Sequence, residues 1–494
     1  MNEIHDQIRR GRLDSTRTND VSDFLSSSDA DKRFADCDVR VDLAHVLMLT
    51  HQHLIDTESS KILVSQLLQY LTNGIPDAVF DPVYEDIHAG IEAQLIKDCG
   101  VDVGGKMHLG RSRNDEVATC IRMRTRIDII TILNQIIQLR KTLLDHANHH
   151  TESVMPGFTH FQHAQPTTLA HYLLSYESAL SRDTKRLFDA YTRVNESPLG
   201  SAAFAGTGFE LDRELVSKYL GFPVTMSNSM DGVAARDFVL EVQASLAILM
   251  STISRICDEL ILWSSSFIQF IELDDNFCST SSIMPQKKNP DTAELMRAKS
   301  STVFGELIAG LTVMKAIPMS YNRDMQDLTP HLWRSIDTVE SVLPLLSKMI
   351  QSAKFNTKRM ADESIRGNTC ATELADYLVR KFGLPFRSAH NIVGRSIKIG
   401  GISIDILEKA GLEICNISLK EKGLTQSEID RVVSPLVIIN SKCSYGSPNP
   451  DMMKSSISSA LDAIKKDESS ISALNKNLTD ADTLIVSECK RMIS

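Results

Sequence analysis

Glycine and proline are missing from 111–155, from 167–197 and from 233–284, so the commonest breakers of regular structure are absent over unusual lengths. Long helices are what such runs favour. Long apolar runs are missing too, for no window approaches the roughly 18 uninterrupted apolar residues of a membrane-spanning helix. The opening, Met1 to Arg10, is charged and lacks the apolar stretch of a signal peptide, and the expectation is a cytoplasmic protein. The 9 cysteines include no Cys-x-x-Cys, and an odd count without close pairs reads as reduced, buried thiols in a reducing compartment. A net charge of −10 argues against a dominant role in binding nucleic acid, while leaving room for local basic pockets. There is no internal repeat and no extended low-complexity tract.

What is present is helical periodicity. Phe238, Val242, Leu246, Leu249, Ile253, Ile256, Leu260 and Trp263 recur at spacings of three and four, and Leu240, Ala244, Ile248, Cys257 and Ile261 widen the stripe. A helix apolar over so much of its circumference needs cover on more than one side. Helices expected over 118–149 and 168–193 would each reach roughly 40 to 50 Å, longer than a compact small domain is wide. Burial between subunits is the simplest way to cover them. Patterns over 291–316 and 332–353 complete five candidates for a central bundle.

The chain is long enough for more than one core. A smaller N-terminal helical domain is expected over 1–108, with a loop at Gly74-Ile75-Pro76-Asp77, and the long-helix domain over 109–362. A C-terminal helical domain is expected over 363–494, with helices near 372–381 and 388–399 and a surface helix carrying Ile457, Leu461 and Ile464.

Three polar clusters stand out. Ser281-Ser282-Ile283-Met284-Pro285-Gln286-Lys287-Lys288-Asn289-Pro290 sets hydroxyls, ammonium groups and an amide among residues that resist helix, where a flexible loop could close over an anionic substrate. The second cluster runs from Met155 to Pro166 and includes Thr159, His160, His163 and Gln165. Gly110-Arg111-Ser112-Arg113-Asn114-Asp115 opens the first long helix, where free N–H groups and the helix dipole favour an anion. The competing reading of that third cluster is a solvated basic helix end that Arg122, Arg124 and Arg126 extend into a nucleic-acid face, against which stand Asp115 and the lack of interleaved aromatics.

Together the clusters resemble the three signature segments of the fumarase/aspartase superfamily. Gly-Arg-Ser-Arg-Asn-Asp and Met-Pro-Gln-Lys-Lys-Asn-Pro-Asp are similar to those of its argininosuccinate lyase family, and the likeness runs from about Ser27 to beyond His390. It implies a mainly α, three-domain fold whose long central bundle assembles into a homotetrameric core, with active sites drawn from three subunits. It also implies reversible β-elimination of argininosuccinate to arginine and fumarate. The rivals are another fumarate-forming lyase, such as one acting on adenylosuccinate, and a non-catalytic crystallin-like protein on the same scaffold.

Breaking a C–N bond β to a carboxylate takes a base for a weakly acidic C–H and cations for the dianionic aci-carboxylate that follows. No metal or organic cofactor is needed if the protein aims donors at that charge. Ser281 is the candidate base, ionised by its surroundings, with Lys287 neutralising alkoxide and carboxylate and Asn289 donating to the carboxylate. By the resemblance, Thr159 and His160 belong to the catalytic site with Glu294 orienting His160, and Arg113 and Asn114 bind the succinyl carboxylates. Ser27, Asp31, Tyr321, Arg323 and Gln326 match substrate-binding positions at the arginine end, and Asp86 and His88 lie in a further matching segment. Three positions depart from the family pattern: Thr280 replaces a Gly, Leu109 replaces a Thr, and the opening is reduced to Arg10-Gly11-Arg12-Leu13.

Overall fold

In the computed structural model, which describes residues 17–494, the stretches free of glycine and proline carry long helices and the chain is mainly α. The principal helices are α1 (Ala35–His51), α2 (Thr57–Asn73) and α3 (Ile87–Cys99), then α4 (Arg113–His149), α5 (Leu169–Val194), α6 (Asp237–Ser264), α7 (Asp291–Met314) and α8 (Asp324–Ser352). After them come α9 (Ala371–Phe382), α10 (Phe386–Ile399), α11 (Ile404–Cys415) and α12 (Pro450–Ile493). Met1–Arg10 and Arg10–Leu13 lie outside the described residues.

Local chemistry sets the helix starts. Ser112 and Asp115 form a capping box at α4: the Ser112 hydroxyl accepts from the Asn114 N–H at 3.3 Å, and the Asp115 carboxylate accepts from the Ser112 N–H at 3.2 Å. Thr168 caps α5 by accepting from the His171 N–H at 3.2 Å. In the run 233–284 the helix is confined to α6, because past Trp263 the chain reads Ser264-Ser265-Ser266 and loses its apolar stripe. Missing breakers permit a helix; only an apolar face makes it worth forming. The helix expected from 332 begins earlier, at Asp324, and runs through Pro330 and Pro344. Burial of Met325, Leu328, Leu332 and Trp333 outweighs the backbone bond each proline removes.

Among the described residues there are two separate apolar cores. The larger joins α1 to α3, the long helices and the inward face of α12; the smaller, from Leu374 to Val432, lies among α9, α10, α11 and the turn and short helix Gln426–Val432 after them. The last helix is therefore more than a surface element. It buries Met453, Ile457, Ile464, Ile471 and Ile485, and its Asp467 and Glu468 pair with Arg140 at 2.7 Å and Lys141 at 2.5 Å. All 9 cysteines are free thiols. Among the described residues no helix is long and apolar enough to cross a membrane.

α6 and α7 run antiparallel, as Asp258 near the end of α6 meets Arg297 near the start of α7 at 2.6 Å, while Gln243 near the start of α6 donates to the Glu306 carbonyl at 3.2 Å. The bundle thus has two distinct ends. The 28 residues of α6 separate them by about 42 Å.

Candidate active site

At one end, where α4, α6 and α8 begin, a cavity is lined by Ser27, Asp31, Arg113, Tyr321 and Gln326 together with Asp86, His88 and Arg236. Five residues singled out from remote parts of the sequence therefore meet within one chain. The Ser27 hydroxyl donates to Asp31 at 2.6 Å, and the Gln326 amide donates to the Leu25 carbonyl at 2.9 Å. Burial pushes the Asp31 carboxyl up to about 7, against the His88 charge and the Ser27 bond, which pull it down. Arg113 is held by Asp86 at 2.8 Å and by Glu85 at 3.6 Å, and Arg323 reaches the same Glu85 at 2.8 Å. Arg323 thus stands beside the cavity through Glu85. Asn114, one residue along α4, donates to the Ala203 carbonyl at 2.9 Å.

Beneath the cavity lies a buried ionic cluster. His88 Nδ1 is 2.8 Å from Asp38, and the Arg111 guanidinium sits between Asp42 at 2.6 Å and Glu116 at 2.9 Å. Burial alone would lower the His88 pKa, but the Asp38 and Glu116 charges carry it up to about 10. Arg111 is therefore an internal counter-ion, not part of a solvated basic helix end, and Arg122 and Arg126 are buried as well. The nucleic-acid face that these arginines could have formed does not exist. Asp38, His88 and Cys120, and likewise Asp38, Asp42 and Glu116, lie close enough together to hold a cation. His88 and Arg111 already supply positive charge at those positions.

At the other end of the bundle the Met155–Pro166 cluster forms a hairpin of β1 (Val154–Thr159) and β2 (Gln162–Thr168), antiparallel with an irregularity at Gly157. His160 and Phe161 make its two-residue turn with φ of 55° and 57°, the left-handed pair that a tight hairpin of this hand requires. Neither is glycine, so the turn stores backbone strain and holds the Thr159 and His160 side chains out into solvent. His163 Nε2 stands 3.7 Å from Glu363.

The third cluster is near the hairpin's end of the bundle, just before α7. A short ladder pairs β3 (Ser279–Thr280) with β4 (Lys288–Asn289) and closes the loop at its neck. Ser281 sits just inside, its hydroxyl oxygen accepting backbone N–H bonds from Ile283 at 3.3 Å and Met284 at 3.0 Å. Lys287 Nζ donates to Asn289 Oδ1 at 2.6 Å. Glu294 is exposed in the first turn of α7. Two N–H donors aimed at one oxygen favour its anionic form, which is what a serine base needs. Thr280, in an extended strand pair, shows why a side chain is accommodated there.

Among the described residues, no hydrogen bond or ion pair joins Ser281 to His160, His160 to Glu294, or either cluster to Arg113. Sequence reasoning missed Glu85, which Arg113 and Arg323 share, and Arg236, which with Asp237 interrupts the apolar run from Val233-Ala234-Ala235 to Phe238-Val239-Leu240. That apolar setting was the available signal for Arg236.

The chain matches the family described as Lyase over residues 37–305 and the one described as Argininosuccinate lyase C-terminal over residues 368–437. It is 59% identical over 477 residues to the argininosuccinate lyase of Methanocorpusculum labreanum, covering 97% of each chain. With that of Methanoculleus marisnigri it shares 51% over 486 residues, 98% of this chain and 99% of that one. A crystal structure of EDDS lyase in complex with formate superposes with a TM-score of 0.86 at 30% identity, covering 99% of this chain and 98% of that one.

Proposed function

For a chain that belongs to the argininosuccinate lyase family, and is a carbon–nitrogen lyase splitting argininosuccinate reversibly into arginine and fumarate, we propose that the chemistry is done where the two ends of the bundle meet across subunits. Ser281 removes the proton from the carbon β to the leaving nitrogen. The backbone N–H groups of Ile283 and Met284 already point at its oxygen and stabilise the alkoxide. Lys287 and Asn289 then face the aci-carboxylate, while Arg113 and Asn114 hold the succinyl carboxylates. As the C–N bond breaks, its electron pair passes to the guanidino nitrogen, which takes up a proton, and the carbon skeleton departs as fumarate. Thr159 and His160 complete the site, with Glu294 orienting the imidazole. Ser27, Asp31, Tyr321, Arg323 and Gln326 receive the arginine end. No cofactor enters this scheme.

The single observation that carries the shared site is the separation of about 42 Å between the cavity end and the Ser281 end of one 28-residue helix. A second copy packed antiparallel brings its opposite end to the cavity. A surface suited to that packing exists on α7, where Leu295, Phe304, Ile308 and Leu311 are exposed and only Ala293, Met296, Ser300, Val303 and Gly310 are buried. The assembly is a homotetramer, working in the cytoplasm to form arginine. Its chains divide near 108 and 362.

The test is to add argininosuccinate to the purified, folded protein and follow fumarate by its ultraviolet absorbance. A rise is expected with argininosuccinate and none with adenylosuccinate. A flat trace with the first would sink the reading, and a rise only with the second would move the protein to the rival substrate.

A further inference from the structure

A second cavity, of about 730 Å³, lies behind the hairpin of β1 and β2, walled by that hairpin, the start of α5, the end of α6 and Phe270. Its size falls within the roughly 300–1,000 Å³ of pockets that take small organic ligands. None of the residues given a part in the elimination or at the arginine end lines it. Phe158 and Phe161 do, on either side of Thr159 and His160, so a ligand held here touches the hairpin from behind its turn.

The inner wall is aromatic and fixed by packing. The Tyr172 and Trp263 rings lie 4.4 Å apart between centroids, and Trp263 meets Phe270 edge-on at 6.1 Å. Trp263 is 5% exposed and Phe270 1%. Such ring faces attract a cation through their quadrupoles.

The charges around the cavity are unevenly matched. Arg255, Glu259 and Trp263 follow one another at successive turns of α6. Asp258 is taken by Arg297 at 2.6 Å, and Arg255 lies over the Tyr176 ring at 6.0 Å. Glu259 is half-buried and accepts from the Tyr176 hydroxyl at 3.0 Å. Among the described residues no lysine, arginine or histidine stands within ion-pair distance of it. That sets it apart from the other carboxyls whose pKa burial raises. His88 draws Asp31 back down, Arg111 does so for Asp42 and Glu116, and backbone N–H groups do so for Asp115. Arg124 and Arg33 act likewise on Asp128 and Glu340, and Arg186 on Asp183. Glu259 has no such relief, and burial alone pushes it up to about 7. A carboxylate placed so gains most from a cation that arrives with a ligand.

We propose that this cavity is a binding site for a small organic cation, its charged head on Glu259 and its body against Trp263 and Tyr172. The carboxylate supplies the charge complement, and the rings supply both apolar contact and attraction for the positive end.

The chain has two tryptophans, Trp263 and Trp333, so in the full-length Trp333→Phe protein the indole emission comes from this cavity alone. Butylguanidinium titrated into that protein should shift or quench the emission and saturate. Butylurea, of the same shape without the charge, should bind at least tenfold more weakly. Adding Glu259→Gln should weaken the cation by roughly ten- to a hundredfold, the value of a hydrogen bond to a charged group. Asp31→Asn, which alters the other cavity, should leave it unchanged, and Arg255→Ala, which removes a neighbouring positive charge, should tighten it. Equal binding of cation and urea, a loss in Asp31→Asn that matches the loss in Glu259→Gln, or weaker binding in Arg255→Ala each overturns the inference. So does no response to either compound, the result expected if a second copy of the chain fills the cavity. Should a variant not fold, calorimetric titration of the wild type with the two compounds decides, equal affinities or no heat from either overturning the inference.

Discussion

His88 and Asp38 form a buried pair, Nδ1 to carboxylate oxygen at 2.8 Å, and the Cys120 thiol donates to the same oxygen at 3.4 Å. The pair ties α3 to α1 directly beneath the cavity. Removing one charge strands the other, so Asp38→Asn should cost about 3–5 kcal/mol, read as a lowered midpoint in chemical denaturation. The pH dependence has a definite sign. The His88 pKa is raised to about 10 when folded, against roughly 6.5 in the unfolded chain. Its contribution is therefore complete below about pH 6.5 and lost as pH rises through about 10. The gap between the wild-type and Asp38→Asn denaturation midpoints should be nearly full at neutral pH and shrink as pH rises toward 10; a gap that does not change with pH would show that the pair is not the source.

Ser281→Ala should reduce turnover by on the order of a thousandfold or more while the KM changes little, because the hydroxyl acts in proton removal rather than in holding the ground state. The ladder at the loop neck, Ser279 with Asn289 and Thr280 with Lys288, does not use the hydroxyl and should persist. Steady-state kinetics at saturating argininosuccinate check this. Near-normal turnover would remove Ser281 from the role of base.

Asp31 must be ionised to receive the cationic arginine end as a carboxylate, and burial raises its pKa to about 7 in the empty cavity. Binding should therefore tighten as pH climbs through neutrality, with KM falling until the carboxyl is fully charged. Asp31→Asn should raise KM and flatten that dependence. A profile of KM against pH with the same slope in both proteins would show that another group governs it.

The exposed stripe on α7 gives the assembly a point of attack. Ile308→Glu combined with Leu311→Glu places two charges on residues that are 64% and 49% exposed in the single chain, so the folded monomer should tolerate them. The prediction is a smaller particle by sedimentation velocity and loss of activity together. In a second test, inactive Arg113→Ala chains mixed with inactive Ser281→Ala chains and reassembled should regain part of the activity, since one hybrid site can draw each intact residue from a different chain. Full activity from a monomeric variant, or no recovery in the mixture, would exclude a shared site.

Much of the architecture was legible because helix formation is a local property. The apolar stripe from Phe238 to Trp263 lies on one 28-residue helix, and Ser112 and Asp115 mark the start of α4 with groups three residues apart. The hairpin was less legible, since its turn uses His160 and Phe161 rather than the glycine or asparagine that normally announce left-handed backbone. The residues of the cavity are recognisable by motif, but their spacing along the chain does not reveal that they meet. Ser27 and Gln326 are remote in sequence, and only the packing of α4, α6 and α8 brings both to the cavity.

The chain's own order of residues determined which segments would be helical, which face of each would be apolar and which polar clusters would carry charge, because those depend on neighbours within a few positions. Only the tertiary structure decided the state of the individual charges. Arg111, Arg113 and Arg236 look alike in sequence, yet one is locked between Asp42 and Glu116, one is shared by Asp86 and Glu85, and one borders the cavity with no carboxylate in ion-pair distance among the described residues. Which carboxylates come within reach of a guanidinium is set by the packing of helices that are distant along the chain, and on that packing the Coulomb energy and the cost of burial both depend.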